Sequence, residues 1–398
     1  MQLRYNYRLH PTPGQRQALA RAFGCARVVF NDGLRARTDA HEQGLPYICD
    51  GELSTRVITE AKKTPERSWL GEVSAVVLQQ ALADLNTAYR NFFASITGRR
   101  KGPKVAPPRF RSKKDNRQAI RFTKNARFAI TAGGKLRLPK IGDVAVRWSR
   151  DLPAEPSSVT VIKDAAGRYF ASFVVEVAER PLTPVEPETG IDLGLTAFAV
   201  LSNGRKIDAP RFLRRAEKKL THLQRALSRK AKGSNNRAKA RLAVARKHAK
   251  VADARREFHH QLSTKLIRDN QAIYVEDLAV KGLARTRLSK SVHDSGWSAF
   301  AGMLEYKARL HGRVFHRIDR WFPSSKLCSE CGALAASMPL NVRSWQCPCG
   351  AVHDRDVNAA KNILAAGRAE RPNACGAQVR PGAGLAQREE AGSLRGAA

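Results

Sequence analysis

The chain lacks any apolar run approaching the ~20 residues that a membrane-spanning helix needs, so no helical membrane span is expected. Its opening stretch, MQLRYNYRLHPTP, lacks the apolar core of a secretory signal, which reads as an unsecreted, cytoplasmic protein. It lacks an internal repeat, which excludes a solenoid or propeller. Acids are scarce: 35 Asp and Glu stand against 71 Lys and Arg, a net charge of +36. Such an excess resists compaction unless a polyanion neutralises it. A cationic membrane binder would gather its charge on one amphipathic helix. Here basic residues run through nearly every segment, so nucleic acid is the expected partner. Cysteines are few and odd in number. Of seven, four (Cys328, Cys331, Cys347, Cys349) fall within 22 residues, while Cys25, Cys49 and Cys375 are scattered. That excludes a disulfide framework and points to metal. What is present is enough for real cores: 42% of 398 residues are hydrophobic.

The apolar residues have period. Thr12, Pro13 and Gln15 form a helix-start signature, a capping box with proline at the first helical position. Leu19, Phe23, Ala26 and Phe30 continue it as a helical stripe, and Val77, Ala81, Leu85, Ala88 and Phe92 predict a second helix over 74–96. Residues 98–117, GRRKGPKVAPPRFRSKKDNR, break the pattern and read as a loop lining nucleic acid, with Phe110 as a stacking group. From 119 to 179 short β-branched and aromatic runs predict strands of a small barrel or sandwich. After a Pro-rich boundary at 180–190, the run IDLGLTAFAVLSNGRKI reads as strands. Residues 211–256 carry 17 Lys or Arg against two acids and predict a basic helical hairpin broken at GSNN. From Ala369 onward no periodicity remains, which predicts a disordered tail over 369–398.

Cys328 and Cys331 are spaced C-x₂-C, fifteen residues separate Cys331 from Cys347, and Cys347 and Cys349 are spaced C-x-C. The first pair and the gap fit a four-cysteine zinc ribbon. The second pair is one residue shorter than the usual knuckle. A three-cysteine site completed by His353 is the alternative. No general base stands near the thiols, so the expected Zn²⁺ is structural.

Three acids sit in apolar surroundings: Asp192 in GIDLGLTAFAV, Glu276 at the end of AIYVE, and Asp356 in HDRDVNAAKNIL. A helix starting near Asp354 places Asp356 on the apolar stripe with Ala360 and Ile363, and Asp354 on a polar face with Asn358 and Lys361. A buried carboxylate is costly unless paired or metal-bound. Three of them in a basic chain suggest a Mg²⁺ site for phosphodiester cleavage.

GIDLG, VEDL, the cysteine cluster and DRDVNAAKNIL occur in the order that the TnpB (OrfB) proteins of insertion sequences show, and the chain resembles that family over nearly its whole length. LHPTPGQ, PPRFRSKK and WFPSSKLCSECG carry the resemblance further. It implies a multidomain α+β protein with an RNase H-like (RuvC) α/β nuclease core. The core would span 187–325 and 351–368, with the basic hairpin inserted in it and the zinc ribbon at 326–350. A β-barrel (wedge-like) domain at 1–10 and 105–186 and a helical recognition domain at 11–104 would precede it. The resemblance implies an RNA-guided DNA endonuclease, with Asp192, Glu276 and Asp356 as Mg²⁺-binding catalytic residues. Its partners would be a guide RNA from the transposon end and double-stranded target DNA, acting as a monomer with RNA. Two other functions fit the residues: a transposase acting directly on transposon ends, and a non-catalytic zinc-ribbon regulator.

Overall fold

The computed structural model describes residues 1–115, 117–339 and 341–370. Of the tail expected over 369–398, residues 371–398, with Cys375, lie outside them, and Ala369 and Glu370 are corrected, since they close the last helix. The chain divides into two compact units. One joins residues 1–177 with 233–246, and the other joins 178–232 with the chain from 247 onward.

The first unit opens with strand β1 (Gln2–His10) and helix α1 (Pro13–Glu42). The Thr12 hydroxyl accepts the Gln15 N–H and the Gln15 side chain accepts the Thr12 N–H, so the expected capping box forms. Helix α2 (Asp50–Ser54) and short 3₁₀ and π turns through Glu72 follow, without any period that would announce them. Helix α3 (Ala75–Ile96) then packs on α1, with Leu82 and Leu85 lying over Gly33. Strands β2 (Gln118–Thr123), β3 (Ala129–Ile130), β4 (Leu136–Leu138), β5 (Gly142–Arg147), β6 (Ser158–Lys163) and β7 (Tyr169–Glu176) complete the unit. They join β1 in one seven-stranded antiparallel sheet of order β2-β6-β7-β1-β5-β4-β3. The loop expected at 98–117 is pinned, not free. Asn31 bonds both backbone groups of Arg111, and the Arg111 guanidinium lies 3.8 Å over the Phe30 ring. Phe110 is exposed, but Arg35 lies over its ring at 5.6 Å, so one of its faces is taken.

The second unit is built on strands β8 (Glu188–Asp192), β9 (Ala197–Leu201) and β10 (Lys206–Asp208). Helix α4 (Phe212–Ser228) and helix α5 (Asn235–Asp269), whose residues up to Arg246 count with the first unit, follow, then strand β11 (Ala272–Glu276). Next come α6 (Val280–Leu283), α7 (Ser289–Ser295), α8 (Trp297–Leu310) and β12 (Val314–Ile318). A two-stranded hairpin of β13 (Ser344–Gln346) and β14 (Val352–Asp354) leads straight into α9 (Arg355–Glu370). The main sheet has order β10-β9-β8-β11-β12. Strands β8, β11 and β12 are parallel, while β9 and β10 are antiparallel. The run AIYV in β11 is buried on both faces, as a central parallel strand requires. Ile191, Ile273 and Val275 face Leu266, Phe300 and Leu304 of α5 and α8. Tyr274 turns the other way, toward Ile363 and Ala366 of α9.

Two basic helices form where the hairpin was expected, with Ala216 and Leu220 of α4 packing on Val251 of α5, but the second helix runs 35 residues, to Asp269 rather than 256. Leu262, Leu266 and Ile267 carry the apolar stripe past the basic stretch and into the sheet's core. Among the described residues, no helix is long and apolar enough to cross a membrane.

Candidate active site and cysteine cluster

Strand pairing places the first two acids. In the parallel pair β8–β11, Tyr274 stands opposite Gly190 and Val275 opposite Ile191. One step further along each strand stand Asp192 and Glu276, on neighbouring strands ~4.8 Å apart. Residues two apart share a face, so both carboxylates lie on the face of Gly190 and Tyr274, which α9 covers.

Two glycines let α9 lie directly on that face. A Cβ at Gly190 would fall 2.2 Å from the Ala360 carbonyl oxygen and 2.5 Å from the Leu364 nitrogen. A Cβ at Gly367 would fall 2.1 Å from the Tyr274 ring. Ala360 therefore rides over Gly190, and Asp356, one helical turn earlier, reaches the strand end where Asp192 stands. Asp192, Glu276 and Asp356 all line one cavity of about 730 Å³. Arg343, Arg355, Trp321 and Lys326 share its wall.

The electrostatics fit this crowding. Burial, then the charges of Asp356 and Glu276, push the Asp192 carboxyl up to about 7, with Arg355 and Arg343 acting the other way. Burial and the neighbouring Asp277 also raise Glu276. The Arg343 guanidinium lies 3.4 Å from the Asp356 carboxylate, which is 24% exposed. Three carboxylates thus line one cavity, one of them resisting ionisation, while among the described residues the group already gathered as a metal would need is that of the four cysteines.

Asp354 takes a different place. Its carboxylate accepts the N–H groups of Asp356 and Val357 at 3.1 and 3.0 Å, capping α9, and pairs with Lys206 at 2.5 Å. Partial burial opposes ionisation, but Lys206 and the helix N–H groups win and lower its pKa. The polar face expected for Asn358 is corrected, because Asn358 is 1% exposed. Its amide accepts the Ser329 N–H and donates to the Leu327 carbonyl. Asn362, one turn on, donates to Ser324 and Leu327 carbonyls. These two asparagines tie the first cysteine pair to α9. Sequence reading put Asn358 on the polar face and missed Asn362, although two amides at i and i+4 on an apolar helix face were the available signal. It also missed Arg343 and Arg355, whose place follows from the ribbon's path.

The four cysteine sulfurs all lie within 4.8 Å of one another. Cys328 and Cys349 are 3.8 Å apart, and Cys331 and Cys347 are 3.6 Å apart. A tetrahedron of ~2.3 Å metal–sulfur bonds has edges of about 3.8 Å, so the set fits Zn²⁺. Gly332 and Gly350, both with φ near the left-handed region (74° and 94°), close the two knuckles. The C-x-C pair still folds back, with the Cys347 N–H bonding Ala351 and the Gly350 N–H bonding Cys347. His353 stands beside the set, its Nε2 3.1 Å from the Cys328 sulfur. Burial disfavours the Cys328 thiolate, yet N–H groups of Cys331 and Glu330 and the His353 ring hold its pKa down to about 6. The hairpin of this module runs to Asp354, four residues past the expected boundary at 350.

Comparisons with known proteins agree in direction. Residues 172–287 match the OrfB family of IS605-type elements, described as a probable transposase. Residues 297–363 match a Cas12f1-like TNB domain. Residues 1–45 match a domain described as helix-turn-helix, yet here they form one strand and one helix. A Streptomyces pristinaespiralis protein named "Putative RNA-guided DNA endonuclease" is 46% identical, over 95% of this chain and 92% of its own length. The Escherichia coli K12 protein of the same name, InsQ, is 32% identical over 96% of both chains. A solved Cas12f1–sgRNA–target DNA complex superposes with a TM-score of 0.53 at 14% identity, covering 87% of this chain and 82% of that one. That likeness concerns the fold alone.

Proposed function

This chain belongs to the TnpB (OrfB) family, and from that premise we propose that it is an RNA-guided DNA endonuclease encoded by an insertion sequence. The observation that carries the reading is the single cavity lined by Asp192, Glu276 and Asp356 in a chain of net charge +36. The order β10-β9-β8-β11-β12, with its two antiparallel strands on one side, supports an RNase H-like (RuvC) core over 187–325 and 351–368. The sheet of β1 with β2–β7 supports the wedge-like domain at 1–10 and 105–186, and α1 and α3 the helical domain at 11–104. The partners are a guide RNA from the transposon end and double-stranded target DNA, met in the cytoplasm by a protein monomer with its RNA.

Asp192, Glu276 and Asp356 are the residues that would hold Mg²⁺. When bound, Mg²⁺ supplies charge stabilisation to the attacking and leaving oxygens of a phosphodiester. The protein's own part is positional. Two strand ends fix Asp192 and Glu276, and the Asp354 cap fixes the first turn that carries Asp356. Arg343 and Arg355 give the cavity a cationic wall for the scissile phosphate. Cys328, Cys331, Cys347 and Cys349 would hold a structural Zn²⁺ that keeps the ribbon, and Arg343 with it, against α9.

The test purifies the full chain with its bound RNA, sequences that RNA, and supplies a matched DNA target with Mg²⁺. Cleavage should occur with wild type and vanish in Asp192→Ala, Glu276→Ala and Asp356→Ala, with RNA binding kept. Strand transfer of transposon ends without bound RNA would favour the transposase reading instead. Cleavage that survives all three substitutions would remove the carboxylates from the chemistry.

A further inference from the structure

We propose that Trp321 is a stacking platform for one unpaired nucleobase of the strand being cut, set at the rim of the carboxylate cavity. The proposal rests on the endonuclease reading. Trp321 is 85% exposed, the most of any large hydrophobic residue among those described. Indoles bury large apolar area and gain from doing so, so one held in water needs a reason. This one is not left loose. The backbone N–H of Trp321 bonds the Asp319 carboxylate at 2.6 Å, and the Phe322 N–H bonds the Asp319 carbonyl, so the turn that carries the indole is fixed. On one side Arg320 pairs with Asp277 and donates to its carbonyl at 3.0 Å. On the other, Phe322 packs into the core with Ile318 and Tyr274. Both neighbours anchor the turn, and the indole between them is presented outward.

The turn leaves β12 directly beside the acids. Ile318 stands opposite Glu276 in the sheet, and Trp321 follows three residues later. Trp321 lines the same cavity as Asp192, Glu276, Asp356, Arg343 and Arg355. The cavity thus joins a flat aromatic face, two guanidinium groups and three carboxylates. Single-stranded nucleic acid is recognised by that pairing of a cationic track with an aromatic on which a base stacks. A base inside a duplex has both faces covered by its stacked neighbours, so the site favours an unpaired one. Stacking of this kind is indifferent to sequence, which suits a nuclease whose target is chosen elsewhere.

The experiment uses the full chain with its bound RNA, carrying Asp192→Ala so that no probe is consumed. Single-stranded oligodeoxynucleotides with 2-aminopurine at successive positions are titrated in, and oligoribonucleotides of the same sequence form a second arm. Quenching should appear with DNA, disappear in Trp321→Ala and survive in Trp321→Phe. DNA affinity in Trp321→Ala should fall roughly 5- to 150-fold, the range of a lost base–aromatic stack. In the cleavage-competent background the same variant should lose a similar factor in cutting while RNA retention stays unchanged. Equal quenching with and without Trp321 overturns the platform. So does quenching confined to the RNA arm, which would assign the indole to the guide. A Trp321-dependent quench in a wild-type chain that never cuts would keep the platform and discard the nuclease reading.

Discussion

The cysteine cluster and the carboxylate cavity lie one helix-start apart, yet they are made in opposite ways. The cluster draws on residues 328–349, and its sulfurs gather within 4.8 Å through two tight turns. The cavity draws on residues 84 and then 80 positions apart, carried by two strands and a helix. Its groups resist gathering, since Asp192 is pushed to about 7 by burial and by its partners' charges. A local thiolate set needs little from the rest of the fold, and metal bound there adds to folding. A distant carboxylate set is held together by the core against its own repulsion, which leaves it open to substrate. That division suits a structural metal in the first and a working one in the second.

The largest expected effect breaks the first half of this contrast. Metal at a four-thiolate site is worth roughly 10 kcal/mol of folding free energy. Cys328→Ser or Cys349→Ser should take bound zinc from about one per chain toward none and expose the ribbon to protease. Metal analysis with limited proteolysis checks this. Zinc retained in Cys349→Ser would put His353 into the ligand set. The next effect breaks the second half. Gly190→Ala drives a methyl to 2.2 Å from the Ala360 oxygen, a backbone contact that cannot yield. Overpacking of this kind costs typically 1–3 kcal/mol and occasionally more, and here it should shift α9 and Asp356 with it. Denaturant melting should show the loss, and cleavage should fall further than stability alone explains.

The same contrast sets what could be read in advance. The cysteines announced themselves by spacing, because a knuckle's geometry is local. Asp192, Glu276 and Asp356 were legible as acids in apolar runs and by their order along the chain. Their adjacency was not, since it rests on the register of β8 with β11 and on Gly190 and Gly367 passing α9 close to the sheet. Asn358 and Asn362 were misread or missed because their partners are backbone carbonyls 31 to 38 residues away. The turns over 55–72 carry no apolar period and went unassigned. The hairpin's second arm was ended early because basic residues hid a stripe that continues to Ile267.

A pH-dependent effect sharpens the repulsion argument. In the metal-free protein Asp192 titrates near 7 against 3.8 unfolded. Between those values the folded state holds more proton, so stability falls as pH rises from about 4 to 7 and stays reduced above. That displacement corresponds to at most ~4 kcal/mol. Asp192→Asn should therefore melt a few degrees above wild type at pH 8 in chelator and converge with it near pH 4. Millimolar Mg²⁺ should raise the wild type more than the variant. Thermal melts across pH, with and without Mg²⁺, check both. An Asn variant no more stable at pH 8 would mean that the carboxylates do not strain the fold.

The smallest effect separates the two aspartates that open α9. Asp354 caps the helix and pairs with Lys206, whereas Asp356 faces the cavity. Losing an N-cap costs ~1 kcal/mol, and the Lys206 pair, about half exposed on both sides, adds under ~1 kcal/mol. The lowered pKa of Asp354 means that its contribution is present at neutral pH and lost on acidification. Asp354→Ala should lower the melting temperature slightly and slow cleavage modestly, because the turn carrying Asp356 frays. Asp354→Asn keeps an amide oxygen for the Asp356 and Val357 N–H groups and should restore most of both. Asp356→Asn should do the reverse, with stability held or raised and cleavage gone. If Asp354→Asn were as dead as Asp356→Asn, the cap would be a ligand, and the line drawn here between the ribbon's last strand and the nuclease's third acid would have to move by two residues.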